Sequence, residues 1–298
     1  MTDRTAAVPP SLPAPRPHAI RRLRRAVRAP LKHCLLALCA LTMLYPVLWM
    51  VVSSLRPNSQ IFRSAGLAIT HPRFENYSNG WNAFSQPFSH YMINSAIVVT
   101  GAILGNLLAC SLAAYAFARL EFKAKRVWFA IMLVTIMLPV HVIIVPQYVL
   151  YSELGWVNTF LPLIVPKFLA TDAFFIFLMV QFIRTLPREL DEAAEIDGAG
   201  YWRIFIRVVM PLCMPALATT AIFTFIWTWN DFLSQLLYLN NPDNFTVPVA
   251  LRTFLDASSD SSWGPMFAMS IIALGPIFGF FLAGQKYLIR GVATTGLK

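Results

Sequence analysis

The chain of 298 residues is 57% hydrophobic and only 13% charged, which excludes an ordinary soluble domain and makes the bilayer the solvent to reason with. Its net charge of +10 needs no nucleic acid as partner, because basic flanks facing anionic lipid headgroups account for it. Cys34, Cys39, Cys110 and Cys213 lack paired spacing and read as small buried hydrophobes rather than a disulfide or metal framework.

Residues 1–33 carry five prolines between Pro9 and Pro17 and eight Lys or Arg residues, and read as a disordered, basic, cytosolic leader. Six apolar stretches follow, near 34–55, 92–117, 127–149, 159–182, 212–238 and 265–287. Each is long enough to cross about 30 Å of hydrocarbon as a helix, which satisfies its own backbone in lipid. The expected fold is therefore an all-α membrane protein with six transmembrane helices over 34–290 and a short cytosolic tail at 291–298. With both termini inside, 19 Lys or Arg residues face the cytosol and four face out, so the charge bias predicts an N-in, C-in topology.

The external segment 56–91 is rich in turn residues. Phe74, Tyr77, Trp81, Phe84 and Phe88 are read as anchors along the outer interface. In the second span Gly101, Gly105, Ala109 and Ala113 recur every four residues, which permits close helix approach within the chain or between subunits. The third span holds Pro139, His141 and Pro146 and is expected to kink.

Polar groups within the spans are costly in lipid and mark candidate sites. Lys167 and Asp172 stand five residues apart in the fourth span. Five helical steps turn through about 500°, so the two are not expected to stack; each faces protein or a wet cavity. A substrate-facing role and structural pairing both stay open. In the fifth span, Trp227-Thr-Trp229-Asn230-Asp231-Phe232 sets aromatic rings beside Asn230 and Asp231. That suits a sugar, whose faces stack on rings while its hydroxyls need acceptors, and equally suits a polar helix break. Lys167, Asp172, Asn230 and Asp231 are the candidate translocation-pathway residues.

The loop at 184–211 gathers five of the chain's 14 acidic residues within nine positions, from Glu189 to Asp197. On a helical wheel Leu190, Ala193 and Ala194 share one arc, with Glu189, Asp191, Glu192 and Glu195 spread opposite. Gly198 suits a reversal with φ > 0, so the loop reads as a short helix, a glycine break and a second helix entering the bilayer. There is no GxxxxGK[ST] phosphate loop, the five histidines lack metal-ligand spacing, and no nucleophile–base pair stands out. No enzyme site, metal or bound cofactor is expected on this chain.

Glu192-Ala193-Ala194, three residues, Gly198, nine residues, then Val208-x-Met210-Pro211 resembles the EAA motif of bacterial ABC importer permeases, with Val208 and Met210 as conservative departures. Phe74-Glu-Asn-Tyr77, Asn94-Ser95, Ala113 to Arg119, Leu186-Pro187, Trp229-Asn-Asp231 and Tyr287 to Gly291 resemble the carbohydrate-uptake, maltose-transporter-type branch. The likeness covers about residues 34–298.

The resemblance implies a MetI-like permease in the bacterial inner membrane that imports a sugar or oligosaccharide. It implies a second homologous permease, two ATPase subunits that carry the ATP and magnesium, and a periplasmic or surface-anchored solute-binding protein. Glu192, Ala193, Ala194, Asp197, Gly198 and Pro211 would form the ATPase-coupling element, and the tail at 291–298 is a second candidate contact. A self-sufficient ion-coupled transporter and a membrane scaffold are the alternatives, and neither needs the EAA spacing.

Overall fold

A computed structural model describes residues 17–63, 66–69, 71–256 and 262–295, the side chains of 17–31, 256 and 287–295 excepted. The described residues form helices and no strand. The first, α1 (Pro17–Ser54), opens on a proline, whose missing N–H costs nothing in a first helical turn. Much of the leader expected to be disordered is thus helical from Pro17 onward, in keeping with its Arg, Leu and Ala content. Residues 1–16 lie outside the described residues.

A short helix, α2 (Glu75–Trp81), precedes α3 (Phe88–Arg119), the central strut of the bundle. Then come α4 (Lys125–Ile136), α5 (Val140–Glu153), α6 (Leu161–Phe168), α7 (Ala173–Thr185), α8 (Glu189–Ile196) and α9 (Tyr201–Leu212). The chain closes with α10 (Met214–Asn230), α11 (Leu233–Tyr238), α12 (Val247–Asp256) and α13 (Trp263–Thr295). Of the tail expected at 291–298, residues 291–295 continue α13 and the rest lie outside the described residues.

Four segments are long and apolar enough to cross a bilayer: Lys32–Ser54, Phe88–Arg119, Leu161–Thr185 and Trp263–Lys286. The third and fifth expected spans are instead broken. The pair α4–α5 bends by 101°, and α9–α10 by 75°. Prolines cause both bends. Pro139 lifts its own backbone into the extended region, and Pro211 and Pro215 flank the second bend at Cys213. A π turn at Phe205–Val209, in which the Met210 N–H bonds Phe205 O, loosens α9 ahead of Pro211.

Packing concentrates on α3, which touches α6, α7 and α10. One cluster, around Tyr115, Phe175, Met179, Ile183, Ile204 and Val209, lies at the end nearer α8. A second, around Phe88, Tyr91, Phe225, Trp229, Phe254 and Met269, lies toward the other end. The aromatic residues of 74–88 belong largely to this second cluster rather than to an outer interface: Phe88 is fully buried, and Phe84 packs edge-on against Tyr91 and Phe254. Only Phe74 keeps an exposed ring. A stripe placed between two buried helices is drawn into their contact.

The small-residue stripe serves an intramolecular contact at two of its positions. A Cβ on Gly101 would meet Ile164, and one on Gly105 would lie 2.9 Å from the Lys167 carbonyl carbon. One resemblance motif, Asn94-Ser95, has a plain structural role at the opposite end. Asn94 donates to the carbonyls of Asp243 and Phe245, while the Ser95 hydroxyl accepts the Val247 N–H that opens α12. Cys110 and Cys213 are buried as expected, but Cys34 and Cys39 are exposed on α1.

Candidate functional site

Helix α8 follows Pro187, and Glu189, Asp191 and Glu192 fill its first turn, where carboxylates complement the N-terminal end of the helix dipole. It stops at Gly198 with φ of +78°. The Gly198 N–H bonds Glu195 O and the Ala199 N–H bonds Ala194 O, both at 2.9 Å, the paired closure of a Schellman cap. A Cβ at Gly198 would have open space around it, so backbone conformation alone calls for glycine.

Burial divides α8 differently from the helical wheel. Asp191 and Ala194 turn toward the bundle, and Ala194 packs against the Tyr115–Ile204 cluster. Glu189, Glu192, Ala193 and Ile196 form an exposed i, i+3, i+4, i+7 stripe, with Ile196 87% exposed and Glu192 at its edge beside the bundle. The expected shared arc of Ala193 and Ala194 is therefore split between two faces. The cause is an ion pair that the wheel did not anticipate. Asp191 Oδ2 sits 2.7 Å from Arg119 Nε, with the side chains only 16% and 7% exposed, and this draws the Asp191 side inward.

Arg119 is the last residue of α3, and its Nη2 also donates to Leu186 O at 3.0 Å, capping the carbonyl end of α7. One turn earlier, the Tyr115 hydroxyl donates to Tyr201 O at 3.3 Å. A crevice of about 190 Å³ lies between α3 and α8, lined by Tyr115, Arg119, Arg188, Glu192 and Glu195 among others. Asp197 is exposed just before the cap. Pro211 lies apart from α8, in the second helix beyond the π turn.

Farther along the bundle is a cavity of about 760 Å³. Lys167, Asp172, Asn230 and Asp231, singled out from the sequence as separate features, all line it, together with Trp227 and Tyr151. Lys167 and Asp172 were not expected to stack, yet Lys167 Nζ donates to both Asp172 carboxylate oxygens, at 2.9 and 3.1 Å. The helical arithmetic fails because α6 ends at Phe168 and α7 starts at Ala173. Ala170, in the left-handed region at φ of +55°, turns the chain between them.

Asn106, fully buried on α3, donates to Asp172 Oδ2 at 2.7 Å and to Thr224 Oγ1 of α10 at 3.1 Å. The ion pair is thus braced by Asn106 on α3, which is in turn bonded to Thr224 on α10. Asn230 spends its amide on Ile226 O, while Asp231 accepts the Ser234 N–H across the break between α10 and α11. The polar helix break and the cavity lining are the same feature. Trp227 is half exposed in the cavity, whereas Trp229 is buried and stacked on Phe225.

Asn106, Thr224 and Ile196 were not singled out from the sequence, and Arg119 entered only as the end of a resemblance motif. An asparagine inside an apolar span was a legible signal for Asn106. Nothing local marked Ile196.

A family model described as binding-protein-dependent transport system inner membrane component matches residues 101–294. The chain is similar to the diacetylchitobiose uptake system permease protein NgcG of Streptomyces coelicolor, at 32% identity over 89% of this chain and 87% of that protein. It is also 32% identical to the trehalose/maltose transport system permease protein MalG of Thermococcus litoralis, over 88% of this chain and 94% of that one. In shape it resembles a crystal structure of a bacterial ABC transporter involved in the import of the acidic polysaccharide alginate. The TM-score is 0.74 at 22% identity, over 93% of this chain and 100% of that chain.

Proposed function

The chain belongs to the binding-protein-dependent transport system inner membrane component family, as a multi-pass ABC transporter permease, and from that premise we propose that it moves a sugar or oligosaccharide inward using ATP hydrolysed on partner subunits. In this reading it has six spans with both termini in the cytosol, each bent helix pair forming one crossing. It works beside a second homologous permease, two ATPase subunits that bind ATP and magnesium, and an external solute-binding protein. This chain itself binds no cofactor and catalyses no reaction.

The observation that carries the reading is α8: a rigidly capped helix that keeps Glu189, Glu192, Ala193 and Ile196 exposed. A carboxylate-bearing stripe with one large apolar side chain suits docking in a cleft of another protein. Ala193 leaves room for close approach, Ala194 and Asp191 fasten the helix to the bundle, and Gly198 sets the exit. Asp197 flanks the cap, while Pro211 shapes the helix that returns to the membrane.

The cavity supports a saccharide as cargo. Trp227 offers a half-exposed ring, and Asp172, Asn230 and Asp231 place polar groups beside it for hydroxyls. The relatives named for diacetylchitobiose and trehalose/maltose uptake point the same way. The test is uptake of labelled oligosaccharides into proteoliposomes holding the chain with its partner permease and ATPases. Uptake is expected only with ATP inside and the solute-binding protein outside. Uptake without ATP that collapses with the proton gradient would instead favour ion coupling through Lys167, Asp172 or Asp231.

A further inference from the structure

Helix α3 touches both candidate sites. Its last residue, Arg119, holds α8 through Asp191 and holds the end of α7 through Leu186 O, and Tyr115 holds the start of α9. Thirteen residues earlier, about 20 Å along a helix, Asn106 grips Asp172. Beside it, Gly105 lets α3 lie directly against the Lys167 backbone. Between these points α3 has neither a proline nor a break, whereas α4–α5, α6–α7 and α9–α10 are all interrupted. A shift of α3 at one end therefore meets no kink point before it reaches the other.

We infer that the Arg119–Asp191 ion pair is a clamp that makes α8 and α3 move as one piece, carrying displacement of α8 through Asn106 to the Lys167–Asp172 pair. Arg119 and Asp191 are positioning residues: they face the bundle rather than the outward stripe, and they act through α3. The inference rests on α8 being the ATPase-coupling helix. It adds a route that the outward stripe alone does not supply. Burial favours a clamp over a surface contact, because a pair shielded from water is weakly screened and resists separation.

Cys110 is a native reporter at the far end. It is fully buried, with its thiol 3.8 Å from both Asn106 Oδ1 and Asp172 O, so its access to a small reagent reads the packing of α3 on the ion pair.

The experiment uses the whole complex in liposomes, with Cys34, Cys39 and Cys213 replaced so that Cys110 is this chain's single thiol. Two quantities are measured: solute imported per ATP hydrolysed, and the rate of Cys110 alkylation by N-ethylmaleimide with and without trapping by ATP and vanadate. Arg119→Met and Asp191→Asn should each lower import per ATP by about tenfold or more, within the range usual for coupling between sites. Both should also abolish the trapping-dependent change at Cys110. The exchange R119D/D191R should recover both quantities. Should Arg119→Met fail to assemble, Asp191→Asn carries the test alone. Single variants with normal import per ATP and a normal Cys110 response overturn the clamp. Glu192→Lys separates the two levels: loss of import there beside normal Asp191→Asn removes only the clamp, whereas normal import in Glu192→Lys removes the coupling role of α8 itself.

Discussion

Lys167 and Asp172 are joined at 2.9 Å across a helix break rather than by helical spacing, and the pair stands at the wall of the cavity with about a quarter of each side chain exposed. Removing one partner leaves the other's charge unpaired at a site only partly open to water. Lys167→Met or Asp172→Asn should each destabilise the protein by about 1–3 kcal/mol, less than the loss of a fully buried pair because water screens part of it. The double variant should regain that stability. Thermal unfolding of the purified complex checks this, and uptake kinetics read the role. A double variant that is stable but has a raised KM places the pair against the solute, whereas one with normal uptake leaves it structural.

Asn106 holds the same pair from the core of α3. Asn106→Leu leaves Thr224 without its donor and Asp172 with Lys167 alone, at a cost of about 1–3 kcal/mol. Asn106→Asp should be worse, because it sets a second carboxylate against Asp172. Unfolding midpoints that rank Asp below Leu and Leu below the wild type are the expected result. Equal midpoints would mean that the amide contributes nothing.

Close approach is required at Gly105 but not at Gly279. A Cβ at Gly105 meets the Lys167 backbone at 2.9 Å, while one at Gly279 meets nothing within 4 Å. Gly105→Ala should cost about 1–3 kcal/mol through overpacking and displace Lys167. Gly279→Ala should be tolerated. Parallel expression, unfolding and uptake measurements on the two variants compare the same chemical change in two environments.

Gly198 makes a different demand. With open space at its Cβ, Gly198→Val is penalised by its positive φ alone, by about 1–2 kcal/mol. The damage should stay local, leaving the protein in the membrane with faster proteolysis of the 184–211 loop and lost ATP-driven uptake. Gly198→Asn, which tolerates the left-handed region better, should retain more uptake than valine does. Equal loss in both would shift the cause from backbone conformation to the side chain.

The sequence made the membrane class, the approximate spans and the loop motif legible, because hydropathy and residue spacing are local properties. It also marked four of the polar residues that line the cavity. It did not reveal that Lys167 and Asp172 meet, since that depends on Ala170 adopting a left-handed turn no helical wheel includes. Nor did it separate Ala193 from Ala194. That division is set by Arg119, some 70 residues earlier in the chain, where a buried guanidinium needed a carboxylate. The aromatic run of 74–88 was misplaced for a related reason: a ring at an interface and a ring in a core have the same local sequence.

The central claim is that the outward stripe of α8 meets the ATPase. A photoreactive p-benzoylphenylalanine at position 196, in the assembled complex, tests it most directly, with position 194 as the inward-facing comparison. The account predicts an adduct between position 196 and an ATPase subunit, and adducts only within this chain from position 194. Efficient photolysis at position 196 with no ATPase adduct, in a complex shown to contain the ATPases, would contradict it.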